Sequence, residues 1–345
     1  MFVGINYPWV HYGWDFGDPP PAWVAGSILG EWREKKRAQI EEDFQRFASQ
    51  GIFAARWFIM ADGLNYGIDD FAPRKTGESW SFDPLPSSHT FYEQLRDDFA
   101  AVLQICRNTG VRLFPSLIDF HWCRQGFAID GSPGIIKCGR YDILRDRSKR
   151  QTFLERVLDP LLEISALYRD SIYGWELINE PEWVVRRFSP FPRKDRNRTV
   201  RRNEMKEFIM EGISRINRHS FPSSVGFAHW RSLDKWNSRE LGITVDQFHY
   251  YAQDNRDLPL HAELKRHPCV VGEVATAASR GWPGLASLAK DQTVTNRLRC
   301  LEEKGYPACF LWSARAADQA TNWTSREHQE IIAYTGSDRP GDLQA

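Results

Sequence analysis

Short apolar runs rich in β-branched and aromatic residues alternate with longer amphipathic stretches along the whole chain. The runs predict eight strands: Phe2 to Tyr7, Phe53 to Phe58, Arg112 to Ile118, Ile172 to Ile178, Ser224 to His229, Ile243 to His249, Cys269 to Val274 and Ala308 to Trp312. The stretches between them carry helical spacing. "EKKRAQIEEDFQRFASQG" stops on Gly51, "TFYEQLRDDFAAVLQICRNTG" stops on Gly110, and "NEMKEFIMEGISRINRHS" follows the fourth strand. Further helices are expected at Gln151 to Tyr168, Pro259 to Arg266, Thr293 to Lys304 and Ser325 to Tyr334.

Strict alternation of apolar strands with helices implies a parallel sheet covered on both faces. Eight such units in 345 residues imply a closed (β/α)8 barrel forming a single domain over residues 1–345. An open doubly wound sheet is the alternative, but no GxGxxG opens a helix after the first strand. No linker, low-complexity segment or charge block divides the chain. Long connections at 8–35, 61–90, 119–148 and 182–200 all follow a strand's C-terminal end. On a barrel those connections shape the face where active sites lie, so function is sought at strand ends.

Composition narrows the partners. With 45 basic and 45 acidic side chains the formal charge is zero, so the chain offers no overall electrostatic footprint for nucleic acid or an anionic membrane. Aromatic content is high, with 14 Trp, 21 Phe and 11 Tyr, which suits either flat ring-shaped ligands or a large core. The six cysteines show no CxxC pair and no zinc spacing, and no metal or cofactor is expected. Cys123 and Cys138 flank a Gly-rich loop and either bridge or stay free. Met1 leads almost directly into the first strand, with no basic segment before an apolar run, and a cytoplasmic protein is the expectation.

The strand ends concentrate chemistry. Strand two carries Arg56, strand three runs into Asp119, Phe120, His121 and Trp122, and strand four ends on Asn179 and Glu180. Strand six ends on His249, Tyr250 and Tyr251, strand seven on Glu273, and strand eight on Trp312. Two carboxylates facing each other across a barrel mouth suit displacement at a sugar carbon, one as acid and one as nucleophile. A separation of about 5 to 5.5 Å gives retention, and a wider one gives inversion. Arg56 is expected to keep Glu273 ionised, and the second negative charge to raise Glu180.

"WELINEP" followed by "VVGEV" resembles the signature of the retaining glycoside hydrolases of clan A, most closely family 5, the cellulase and β-mannanase family. The resemblance implies a (β/α)8 barrel with Glu180 as acid/base and Glu273 as nucleophile. It also implies sugar-site roles for Arg56, His121, Asn179, His249, Tyr251 and Trp312, without metal or cofactor. "GEVATA" replaces the commoner Gly-Glu-Phe-Gly, and "GINYPWVHYGWDFG" is unusually aromatic, which leaves β-glucosides and β-mannosides both open. A transglycosylase using the same intermediate, and a carbohydrate-binding barrel without turnover, are the alternatives. Trp9, Trp14, Trp122, Trp183 and Trp230 are further platform candidates against ordinary packing. The segment 186–206 holds nine basic residues against Asp195 and Glu204, a solvated loop or an attractor of anionic sugars.

Overall fold

A computed structural model describes residues 1–11, 13–17, 31–61, 74–76, 79–81, 89–128, 136–186, 198–252, 255–264, 268–276, 293–315 and 325–336. Its centre is one parallel sheet of β1 (Phe2–Asn6), β2 (Ala54–Met60), β3 (Arg112–Asp119), β4 (Trp175–Asn179), β5 (Ser223–Gly226), β6 (Asp246–Tyr250), β7 (Cys269–Ala275) and β8 (Ala308–Trp312). Spatial order runs from β6 through β7, β8, β1, β2, β3 and β4 to β5. The two outer strands meet through a parallel bridge between Phe227 and Phe248. There the amide of His249 donates to the Phe227 carbonyl at 2.9 Å. The sheet is therefore closed into a (β/α)8 barrel, and each of the eight expected strands is present.

Around it lie α1 (Trp32–Ser49), α2 (His89–Thr109), α3 (Arg147–Phe153), α4 (Asp159–Leu167), α5 (Arg202–Arg218), α6 (Arg231–Trp236), α7 (Val294–Glu303) and α8 (Ser325–Gly336). A π turn over Leu154–Leu158 joins α3 to α4, so the expected helix over 151–168 is one rod that starts earlier, where Asp146 accepts from the Lys149 amide. The glycine stops after α1 and α2 take φ of +68° and +75°, the left-handed conformation that glycine reaches without a Cβ penalty. Two segments differ from expectation. Within the expected helix at 259–266, His261–Leu264 forms a 3₁₀ turn with no fully buried side chain, and residues 265–266 lie outside the described residues. The helix α6 has six residues, too few for its period to show in the sequence. No helix among the described residues is long and apolar enough to cross a membrane.

Period-two alternation sorts the strand residues. One face, with Val3, Ile5, Ala55, Trp57, Leu113, Leu117, Trp175, Leu177, Val271 and Leu311, joins the apolar layer between barrel and helices. The opposite face fills the barrel. Its lower layer is a separate cluster of Ala54, Phe114 and Phe310. Above it the filling turns polar, with Asn6, Arg56, Ser116, Glu176, Ser224 and Gln247 all buried. Gly4 leaves room for Phe310: a Cβ there would lie 2.4 Å from Phe310 Cδ1 and 3.0 Å from the Ala54 carbonyl oxygen. Gly4→Ala is expected to destabilise the fold by about 1–3 kcal/mol through overpacking, read as a lower urea midpoint at unchanged slope.

Candidate active site

The polar layer is organised by Arg56. Its guanidinium grips Glu176 with two bonds of 2.7 Å and donates to Asn6 Oδ1 at 2.8 Å, Asn179 Oδ1 at 2.7 Å and Glu273 Oε1 at 2.8 Å. Glu176 accepts further from Ser116 Oγ and Gln247 Nε2, each at 2.6 Å, and Ser224 Oγ donates to Gln247 Oε1 at 3.0 Å. A buried cation is thus matched to two carboxylates from β4 and β7, with its donors filled. Two glycines make space for this layer. A Cβ on Gly226 would stand 3.0 Å from Glu176 Oε1, and one on Gly272 2.1 Å from Gln247 Nε2.

Above Arg56 the expected side chains converge. Asn179 gives its amide hydrogen to Asp119 Oδ1 at 2.7 Å while its oxygen accepts from Arg56, which leaves one N–H for a ligand. Glu180 leaves β4 with φ +44° and ψ +53°, a left-handed conformation costing a non-glycine residue about 1–2 kcal/mol. That turn brings its Oε1 to 2.8 Å from His249 Nδ1, which is also 3.4 Å from Glu273 Oε2. The Tyr251 hydroxyl donates to Glu273 Oε2 in a short bond. Trp312 stands half-buried at the end of β8 with Phe58 beside it, and the Trp312–Ser313 peptide is cis. His121 is half-buried on the 3₁₀ turn Phe120–Cys123 and pairs through Nδ1 with Asp119. All eight expected residues therefore lie in or directly above one polar cluster.

Burial dominates the electrostatics. It pushes the Glu180 carboxyl up to about 7, with the Asp119 charge adding to the rise and Trp183 and Arg56 opposing it. Glu273 is also raised by burial, against the pull of His249, Arg56 and Tyr251. Arg56 pulls Glu273 toward its ionised form, as expected, and desolvation, the larger cause, sets the net upward direction. For Glu180, burial and Asp119 are the leading causes, ahead of the Glu273 charge that was expected. Burial lowers His249 to about 4, leaving a neutral ring, and its Nε2 is buried with no hydrogen-bond partner among the described residues.

Glu180, His249 and Glu273 each bring a ligand atom within 4.8 Å of the others, a grouping that could hold a cation. Arg56 already occupies an oxygen of Glu273 from below. The further tryptophans separate clearly. Trp122 is fully buried against Phe153 and Trp14 is buried, so neither is a platform. Trp9 and Trp230 are half-buried, while Trp183 is 48% exposed. Cys123 and Cys138 are buried thiols that form no disulfide, which settles the bridge in the negative. Most of the basic stretch after β4, residues 187–197, lies outside the described residues.

The sequence reading passed over Glu176, Asn6, Ser116 and Gln247. Each lies inside a strand or on its last residue rather than beyond it, and the one signal was its place on the barrel-filling face with Arg56. Asp119 stood among the strand-end residues without being chosen, and here it links His121 to Asn179.

The chain is thus a (β/α)8 barrel whose C-terminal face gathers two glutamates over a buried arginine. Solved structures of similar shape include the endo-1,4-beta-mannanase of Eisenia fetida, with TM-score 0.70 and 17% identity over 98% of this chain and 92% of that one. The beta-mannanase of the blue mussel Mytilus edulis aligns with TM-score 0.67 and 16% identity over 100% and 94% of the two chains. The exo-beta-1,4-mannosidase Op5Man5 from Opitutaceae bacterium strain TAV5 has TM-score 0.57 and 14% identity over 98% of this chain and 59% of that one. At such identities the likeness is one of fold. No protein-family model and no curated protein sequence matches the chain.

Proposed function

We propose that this chain is a retaining β-glycosidase acting on β-linked mannosides or glucosides by double displacement. One observation carries the reading: Glu180 and Glu273, from β4 and β7, present carboxylate atoms within 4.8 Å of each other. That proximity supports the closer of the two carboxyl arrangements, about 5 to 5.5 Å in retaining enzymes, over the wider one that makes room for an inverting water. The mannanases and the mannosidase among the structures of similar shape make a β-1,4-mannoside the first substrate to test.

In the first step a Glu273 oxygen attacks the anomeric carbon as Glu180 gives its proton to the departing oxygen. The sugar is left as an ester on Glu273. Glu180, now a carboxylate, takes a proton from water, and the resulting hydroxide-like oxygen attacks the anomeric carbon and frees Glu273. Arg56 and Tyr251 stabilise the ionised form of Glu273, both before attack and as it leaves. Asn179 has a spare N–H for the sugar 2-hydroxyl, whose bond strengthens in the transition state. Trp312 offers a ring face to the sugar. His249, neutral, meets both glutamates through Nδ1 without adding charge.

The test is a screen over aryl β-glycosides, β-mannan, β-glucan and their oligosaccharides, with the anomer of the first product followed by proton NMR. Hydrolysis with a β product is expected. An α product, or binding without hydrolysis of any of them, would sink the proposal.

The pH dependence follows from the same carboxyls. Activity needs Glu273 ionised and Glu180 protonated, so kcat/KM should rise as pH passes the elevated pKa of Glu273 and fall above about 7 as Glu180 loses its proton. The result is a bell-shaped profile. Replacing Glu180 by Gln should abolish the alkaline limb on an aryl glycoside with a good leaving group, while turnover of a plain disaccharide is lost. A limb that persisted in this variant would assign the acid to another residue.

A further inference from the structure

Trp183 combines two features found together in no other described tryptophan. Its ring is 48% exposed, and its indole N–H donates to Glu180 Oε2 at 2.8 Å. The other oxygen of Glu180 faces His249 Nδ1 at 2.8 Å, so the carboxyl is gripped from inside the barrel by one residue and from the rim by the other. Both ends of the rim contact belong to one short turn, Pro181–Trp183, in which the Trp183 amide donates to the Glu180 carbonyl at 3.1 Å. Indole and carboxyl are thereby fixed relative to each other. Phe120 lies 6.4 Å from the Trp183 ring and is itself stacked on His121 at 4.1 Å, which extends the aromatic surface beyond Glu180.

We infer that Trp183 is a positioning residue for Glu180 and, with its open face, the platform for the first sugar ring on the leaving-group side. This rests on the glycosidase reading, in which Glu180 faces the departing oxygen, so that a ring beside Glu180 meets the leaving half of the substrate. A flat indole matches the apolar face of a pyranose. The N–H bond favours the ionised carboxyl, the form that activates water once the leaving group has gone. One side chain thus serves both halves of the cycle, by its face in the first and by its N–H in the second.

Other groups around Glu180 act on the same proton. They are Asp119 at the end of β3 and His121 beyond it, Arg56 on β2, His249 on β6 and Tyr251 just after it, Glu273 on β7 and Glu182 on the same turn. None of them changes in the variants that follow.

Two measurements test the inference. In ¹⁵N-labelled protein, the indole resonance that disappears in Trp183→Phe should shift as pH crosses about 7, and should stay still in Glu180→Gln. A Trp183 resonance indifferent to pH in the wild type would overturn the coupling. In kinetics, both Trp183→Phe and Trp183→Ala should move the alkaline limb of kcat/KM upward by about one unit, because the donor favouring ionisation is gone. Only Trp183→Ala should raise KM for a β-linked disaccharide, about tenfold, with little change for a small aryl glycoside. An alkaline limb unmoved in both variants would count against the positioning role, and an equal KM rise for both substrates against the platform. Wild-type inactivity on every β-glycoside with the indole titration intact would sink the proposed activity and uphold the coupling, so the two failures are distinguishable.

Discussion

Glu273→Ala is expected to reduce hydrolysis by at least about 10⁴-fold, the scale on which enzymes lose turnover when their nucleophile is removed. The loss comes from the attacking oxygen itself, since the remaining site still binds sugar and Glu180 still carries a proton. Azide restores part of the rate with an activated aryl glycoside. It fits the space vacated by the side chain and forms a glycosyl azide of inverted configuration, identifiable by NMR and mass. Recovery should be strongest where the leaving group needs no acid. If the variant hydrolysed at the wild-type rate, or if azide gave no adduct while the protein remained folded, Glu273 would not be the nucleophile.

The second large effect concerns stability. Arg56→Met keeps much of the aliphatic volume and removes the one cation that Glu176 and Glu273 share. Two carboxylates then stand in a desolvated barrel with only hydroxyl and amide donors. The expected destabilisation is about 3–5 kcal/mol at neutral pH, the usual result of breaking a buried ion pair by removing one partner. It should shrink as pH falls and the stranded carboxylates take up protons, because the unpaired groups then cost less to bury. Urea melts at two pH values read this directly. A variant as stable as wild type at pH 7 would show that the guanidinium adds nothing net to the fold.

These two experiments touch residues that differed greatly in legibility. Glu273 and Glu180 were readable because each ends an apolar strand, where a carboxylate has no packing role. His121, Asn179, His249, Tyr251 and Trp312 were readable from their places at or near strand ends together with the family resemblance, and Arg56, inside β2, mainly through the resemblance. Glu176 was not, although it sits inside the very stretch "WELINEP" that pointed to the site. A polar residue within a strand gains its meaning from what stands across the barrel, and that depends on closure and stagger that one strand does not encode. The tryptophans show the same limit. Trp122 and Trp183 both follow a strand end by a few residues, yet Trp122 packs on Phe153 while Trp183 opens to solvent beside Glu180. Charge state was the least legible property. The pairing of Arg56 with Glu273 and the downward pull of the cation on the carboxyl were foreseen, but the opposing rise from burial was not, because burial of the pair is a property of the assembled barrel.

Gly226 and Gly272 carry a consequence for how such a protein can change. Where a methyl group would press on Glu176 or on Gln247, the middle of the barrel has no spare volume for a new side chain. A substitution there displaces the partner of Arg56 before it can reach a substrate. Divergence toward another sugar or chain length must therefore proceed through the connections above the strands, which can lengthen or be exchanged without disturbing the ion pairs beneath. The lower half of the site is a fixed chassis, and the rim is where new specificity can be written.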